Sequence, residues 1–156
     1  MVREQHFHEV ALSWTPVDDR GTLPTNAVEA KPGVYVIRGV FESDMIPGKW
    51  SGTTPYAFVP YESNEVRITT FEVLCNTSLY SNLPPYKWLP SSDGNVPPES
   101  IRGGFAASHE PIYVARGCVE NVWCAGKILQ SEGAAQFPLN GGEYRLQDYE
   151  VLCFRS

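Results

Sequence analysis

The chain repeats itself, and this constrains its fold more than any other property. The segment from Trp14 to Cys75 returns, in order, as the segment from Trp88 to Cys153. Both open with Trp-x-Pro, at Trp14-Thr15-Pro16 and Trp88-Leu89-Pro90, and pass through a turn at Asp18-Asp19-Arg20-Gly21 or Ser92-Asp93-Gly94. Leu23-Pro24 then matches Val96-Pro97. From the main strand candidates onward the lag is constant at 78 residues, with Val34-Tyr35-Val36-Ile37-Arg38-Gly39-Val40 against Ile112-Tyr113-Val114-Ala115-Arg116-Gly117-Cys118. Gly48-Lys49 matches Gly126-Lys127, Pro60 matches Pro138, Glu65 matches Glu143, and Phe71-Glu72-Val73-Leu74-Cys75 matches Tyr149-Glu150-Val151-Leu152-Cys153. The lag shortens to 74 at the tryptophans and 73 at Pro24 and Pro97, so the length differences fall in the opening turn and in the loop at 105–110, as insertions should.

Half of such a pair can bury only a thin apolar layer, so the two repeats are expected to pack on each other about a pseudo-twofold axis. The reading is a single domain over 1–156, with repeat one at 13–75, a linker containing Pro84-Pro85 at 76–87, and repeat two at 88–154. Thirteen glycines and thirteen prolines are spread evenly through 156 residues, which cuts the chain into short elements and leaves little or no helix. The runs between them alternate, as in Val10, Leu12, Trp14, in Tyr35, Ile37, Gly39, Phe41 and in Val66, Ile68, Thr70, and are rich in β-branched and aromatic residues. The expected class is all-β, built of short antiparallel strands. After Thr70 the apolar phase shifts to Phe71, Val73 and Cys75, which predicts a bulge or bend at 69–71.

Charge and motif content exclude several functions. A net charge of −6 without a basic cluster argues against nucleic acid or anionic lipid, and no apolar run is long enough to span a bilayer. No catalytic signature pairs a nucleophile with a base, so an enzyme is not expected, and no cofactor motif is present. Cys75, Cys118, Cys124 and Cys153 lack metal-ligand spacing and read as buried reduced thiols; His6-x-His8 is the weak exception to an absence of metal sites. The segment 1–6 has no apolar signal region, which predicts a cytoplasmic address or release without a signal peptide, and leaves the Asn76-Thr77-Ser78 sequon unused.

Among polar positions that recur, Arg38 and Arg116 interrupt apolar strands, need an acceptor fork of carboxylate or carbonyls, and read as structural, with Glu72 and Glu150 as solvent-facing residues or as their partners. Lys49 and Lys127 follow glycines at what read as loop ends, either as solvated turn lysines or as donors to hydroxyls. Asp44 would add an acceptor for a sugar diol, and Trp50 and Trp123 an apolar platform.

The tandem pattern of Trp opening, apolar-Pro, apolar-Tyr-Val-x-Arg-Gly, Gly-Lys, a downstream Glu and Phe/Tyr-Glu-Val-Leu-Cys resembles the DM-nine (DM9) repeat family over residues 13–154. The resemblance implies an all-β fold of two intertwined repeats, commonly a homodimer. It also implies, as in lectin members of the family, binding of mannose-type glycans or microbial surface polysaccharide in innate immune recognition. It places Lys49 and Lys127 on the family's sugar lysine and Asp44 on a nearby acidic position; Glu65, Glu143, Trp50 and Trp123 complete the candidate set. The lectins carry an upstream Asp where this chain has Ala106 and where repeat one is shortened around Ala30-Lys31, with His109, Glu110 or Glu29 as candidate replacements. Loss of that charge-assisted bond costs roughly 1.5 to 3 kcal/mol. The alternative is a protein-interaction scaffold that kept the fold and lost the sugar site, using a free edge or the Trp123 segment. If the lysines are turn residues, Lys49→Ala with Lys127→Ala should abolish binding while leaving the thermal midpoint almost unchanged.

Overall fold

The fold, from a computed structural model, is described over residues 11–78 and 83–155, so Val10 and the His6-x-His8 pair lie outside the described residues. It contains fourteen strands and a 3-10 turn at Gln130–Glu132. Repeat one supplies β1 (Leu12–Pro16), β2 (Glu29–Lys31), β3 (Val34–Phe41), β4 (Asp44–Trp50), β5 (Ala57–Tyr61), β6 (Asn64–Ile68) and β7 (Glu72–Asn76). Repeat two supplies β8 (Tyr86–Ser92), β9 (Arg102–Phe105), β10 (Pro111–Val119), β11 (Val122–Leu129), β12 (Ala134–Leu139), β13 (Gly142–Leu146) and β14 (Asp148–Phe154).

Pairing follows one plan twice. The first strand of each repeat lies antiparallel to the last, β1 on β7 and β8 on β14, and the meander β3-β4-β5-β6 is matched by β10-β11-β12-β13. The repeats meet at Asn64↔Gly142 between β6 and β13, and again at Met45↔Phe105, where β9 crosses to β4. Following hydrogen-bonded neighbours through β4, β5, β6, β13, β12, β11, β10 and β9 returns to β4, so these strands close a barrel. Closure removes free edges from these eight strands, while β1 and β8, each paired on one side, end the branches that leave the barrel.

Side-chain alternation divides the interior into three. On β3, Ile37 enters a cluster of repeat one with Ile46, Trp50, Val59 and Phe71, while Val36 on the other face enters a cluster shared by both repeats. That shared cluster joins Leu12, Val28 and Leu74 to Ile101, Val114 and Leu152, and a third cluster around Ile128, Phe137 and Val151 belongs to repeat two. β3 is thus buried on both faces, which explains why its apolar residues run together as well as alternate. The chain bends at 69–70 between β6 and β7, and Ile68, Phe71, Val73 and Cys75 all reach the same cluster across that change of phase.

Four two-residue hairpins shape the ends of the strands. Their central pairs are Glu42-Ser43, Glu62-Ser63, Glu120-Asn121 and Asn140-Gly141, every one with φ between 45° and 85°. Positive φ at both positions is the type I′ geometry, whose twist matches that of the strands it joins.

Cys75, Cys124 and Cys153 are buried and free, but Cys118 is exposed, contrary to the expectation of four buried thiols. It sits opposite Trp123 at the tip of the β10–β11 hairpin, one strand position away from the core-facing Gly117–Cys124 pair.

Candidate functional site

The recurring arginines hold the repeats together. Arg38 Nε donates to Glu72 Oε1 at 2.7 Å, and Arg116 Nε to Glu150 Oε1 at 2.6 Å. Each then reaches into the other repeat, Arg38 Nη1 to the Gly103 carbonyl at 3.2 Å and Arg116 Nη1 to the Ala30 carbonyl at 2.8 Å. The guanidinium planes lie over the opening tryptophans, 4.5 Å from the Trp14 ring and 4.7 Å from that of Trp88. A planar fork with one stacked face serves all three contacts at once, which lysine could not. The role of Trp14 and Trp88 was hidden in the sequence, where the only sign was that each opens its repeat upstream of the arginine.

The lysines are not turn residues. Lys49 lies inside β4 and Lys127 inside β11, and the preceding glycines serve strand packing: a Cβ on Gly48 would stand 2.0 Å from the Phe58 carbonyl oxygen, and one on Gly126 2.1 Å from that of Gln136. Glycine in a strand marks such a close approach as readily as a turn. Because Ile46 and Trp50 point into the core of repeat one, Lys49 faces the other way, toward repeat two, where its charge partly offsets the burial that pushes the Cys124 thiol up.

Each lysine finds a carboxylate. Lys49 Nζ stands 3.4 Å from Glu65 Oε2 and Lys127 Nζ 3.5 Å from Glu143 Oε2. The second oxygen of each glutamate reaches across the seam, Glu65 Oε1 accepting from Gly141 N at 3.0 Å and Glu143 Oε1 from Ser63 N at 3.1 Å. The two pairs differ in access. The side chains of Lys127 and Glu143 are both 8% exposed, whereas Lys49 is 19% exposed and opens into a cleft of about 360 Å³.

Repeat one contributes Lys49, Ser51, Tyr56 and Phe58 to that cleft, and repeat two contributes Val122 and Trp123. Trp123 is 37% exposed, with the Lys31 ammonium 4.4 Å from its ring centre. Trp50 borders the cleft but offers no open ring: it is 2% exposed, packs against Phe71, and donates from Nε1 to the Thr54 carbonyl. Asp44 does not join Lys49. It begins β4, five positions away on an extended strand, and its Oδ1 accepts from Ala107 N at 2.8 Å, tethering the β9–β10 loop.

The candidate replacements for the absent Asp are also engaged. Glu29 Oε2 accepts from Gly33 N at 2.8 Å, and both oxygens of Glu110 accept from Ser131. His109 is exposed on the β9–β10 loop, away from both lysines' carboxylates. What the cleft assembles is the Lys49 ammonium, hydroxyls from Ser51 and Tyr56, and an aromatic wall; Glu65, which pairs with the lysine and with Gly141 N, is not among the lining residues. Such a set can exchange hydrogen bonds with adjacent hydroxyls while an apolar ring face rests on Trp123. Among the described residues no group of three or more His, Cys, Asp or Glu side chains is arranged to hold a metal ion, and no helix is long and apolar enough to cross a membrane.

Comparison with known proteins gives three findings. The profile of the DM9 repeat matches residues 29–146. Natterin-4 of Thalassophryne nattereri is 29% identical over 146 residues, an alignment that takes in 90% of this chain and 33% of natterin-4, so the chain spans about a third of that relative's length. The nematode sperm cell motility protein MFP2B superposes with a TM-score of 0.61 over 93% of this chain and 45% of its own, at 11% identity, a likeness of fold alone.

Proposed function

Since the chain belongs to the DM9 repeat family, we propose that it is a non-enzymatic, lectin-like protein that binds carbohydrate in the cleft beside Lys49. The observation that carries this reading is the partly open Lys49, held by Glu65, in a cleft whose other wall is Trp123 from across the repeat seam. A pyranose with neighbouring hydroxyls fits this chemistry: the ammonium donates, the hydroxyls of Ser51 and Tyr56 accept, and the indole covers the less polar ring face. Mannose-type glycans, including microbial surface polysaccharides met in innate recognition, are the class proposed. The Lys127–Glu143 pair, sealed at 8% exposure, is assigned to the fold, so each chain carries one site of this kind. Pairing of two chains in a homodimer would then supply the avidity that a shallow single site needs. Unpaired cysteines suit the reducing cytoplasm as its place of residence.

Glycan-array binding of the folded chain, followed by calorimetric titration of the best mannose-type ligand, tests the proposal. Lys49→Gln and Trp123→Ala should each weaken binding by about tenfold or more, the scale of one charged hydrogen bond or one stacked ring. A folded protein silent across the array, or a Lys49→Gln variant binding at full affinity, would overturn it and favour the interaction scaffold.

A further inference from the structure

A second cleft, of about 510 Å³, lies on the other side of the seam and has a different chemistry. It is lined by Arg38 from repeat one and by Arg102, Gly104, Phe105, His109 and Pro111 from repeat two. The two clefts share one repeat-related position, Gly33 in the first and Pro111, 78 residues later, in the second, and are otherwise lined by different residues. At the first the lysine is balanced by Glu65. At the second, no acidic side chain is among the described residues lining the cleft.

Its charge is arranged for a ligand more than for the fold. Arg38 is anchored by Glu72 and by the Gly103 carbonyl, and that ion pair is close to neutral. Arg102 is exposed and has no ion pair among the described residues, so its guanidinium is an uncompensated fork at the cleft wall in a protein of net charge −6. His109 stands on a loop whose position is set from both repeats: Asp44 Oδ1 holds Ala107 N, and Ala106 bonds through its amide to Glu110 O and through its carbonyl to His109 N. The backbone at His109 thus has a defined place, with φ at +75°, a left-handed conformation that histidine adopts more readily than most non-glycine residues. Phe105, 54% exposed, adds an apolar surface beside the cations.

We propose that this cleft binds an anionic saccharide, a sugar bearing a carboxylate or a sulfate ester, with the oxyanion taken by the Arg102 fork and the His109 ring and the sugar lying against Phe105. Only the choice of a saccharide as carrier of the anion rests on the carbohydrate reading above; the anion site itself stands on Arg102, His109 and the absence of a lining carboxylate.

The test is calorimetric titration of the full chain, at low and at physiological salt, with three probes: a heparin-derived hexasaccharide, a galacturonate oligomer carrying carboxylates alone, and a neutral mannose oligomer. At least one anionic probe should bind, and Arg102→Gln should weaken it about tenfold or more while Arg20→Gln, an exposed arginine elsewhere, and Lys49→Gln leave it unchanged. The galacturonate result separates carboxylate from sulfate recognition, and either supports the site. Failure of both anionic probes, equal weakening by Arg102→Gln and Arg20→Gln, or loss only in Lys49→Gln would overturn it. Loss of mannose binding with retained, Arg102-dependent anion binding would defeat the Lys49 reading and leave this one standing.

Discussion

Lys127 illustrates how burial decides what a residue can do. Its charge is held between the Glu143 carboxylate, the Tyr61 ring 5.6 Å away and the wall of β12, with almost no access to solvent. Glu143 Oε2 has no hydrogen-bond donor among the described residues, so the lysine's field is what compensates it. Removing that field strands a buried carboxylate, and Lys127→Met is expected to lower stability by roughly 3 kcal/mol, or about 6 to 12 °C in thermal midpoint for a chain of this size. Replacing both partners, Lys127→Met with Glu143→Met, should recover much of the loss, because an apolar pair needs no compensation. Thermal unfolding followed by circular dichroism distinguishes the outcomes; a single variant melting at the wild-type temperature would refute the account. The expectation of an unchanged midpoint fails for the double lysine variant on the same ground. Its error lay in the glycines. Gly48 and Gly126 were compatible with a turn, and nothing local in the sequence says that a neighbouring strand passes within 2.0 to 2.1 Å of the missing Cβ. Asp44 misled for a similar reason: five residues is a short distance along the sequence but most of the length of β4.

At the scale of elements, what the sequence revealed depended on whether the signal was periodic or conformational. The alternating runs at 35–41 and 66–70 fall on β3 and on the end of β6, the second overrunning the strand by two residues, and the phase shift after Thr70 marks the corner before β7. Of the four I′ hairpins, only Asn140-Gly141 has the composition that favours the turn. Glu42-Ser43 and Glu62-Ser63 hold positive φ without a residue suited to it, because the register of the flanking strands leaves room for two residues and no more. Such strain can be relieved by substitution. Glu42→Asn combined with Ser43→Gly should raise stability by about 1 kcal/mol, or roughly 2 to 4 °C, with no change in fold. The side chains replaced make no hydrogen bond among those described, and the turn lies at the end of β4 far from Lys49. A lower melting temperature for this variant would show that Glu42 or Ser43 makes a contact stronger than the strain it carries.

Across the whole molecule, the repeats are tied by features that neither possesses alone. The shared core takes Val36 and Leu74 from one repeat and Val114 and Leu152 from the other; Arg38 and Arg116 each bond a carbonyl across the boundary; and Glu65 and Glu143 exchange backbone donors at the β6–β13 joint. Both clefts also lie on this seam, with Val122 and Trp123 walling the first from repeat two and Arg38 entering the second from repeat one. A separated repeat would therefore expose one face of its central strand, leave an arginine without its carbonyl acceptor, and lack a wall of its cleft. With so small a core it should not fold cooperatively. Fragments 1–80 and 81–156, divided between β7 and β8, are expected to be unfolded singly, with poor amide dispersion by NMR and no thermal transition. Mixed in equal amounts, they should associate and recover the native spectrum, since the cut leaves every strand pairing among the described residues possible and the closing of the barrel supplies the missing contacts. A single fragment that melts cooperatively would show that each repeat is a domain in its own right. The sites could then no longer be regarded as products of the duplication, because their walls come from both halves only when the halves must fold together.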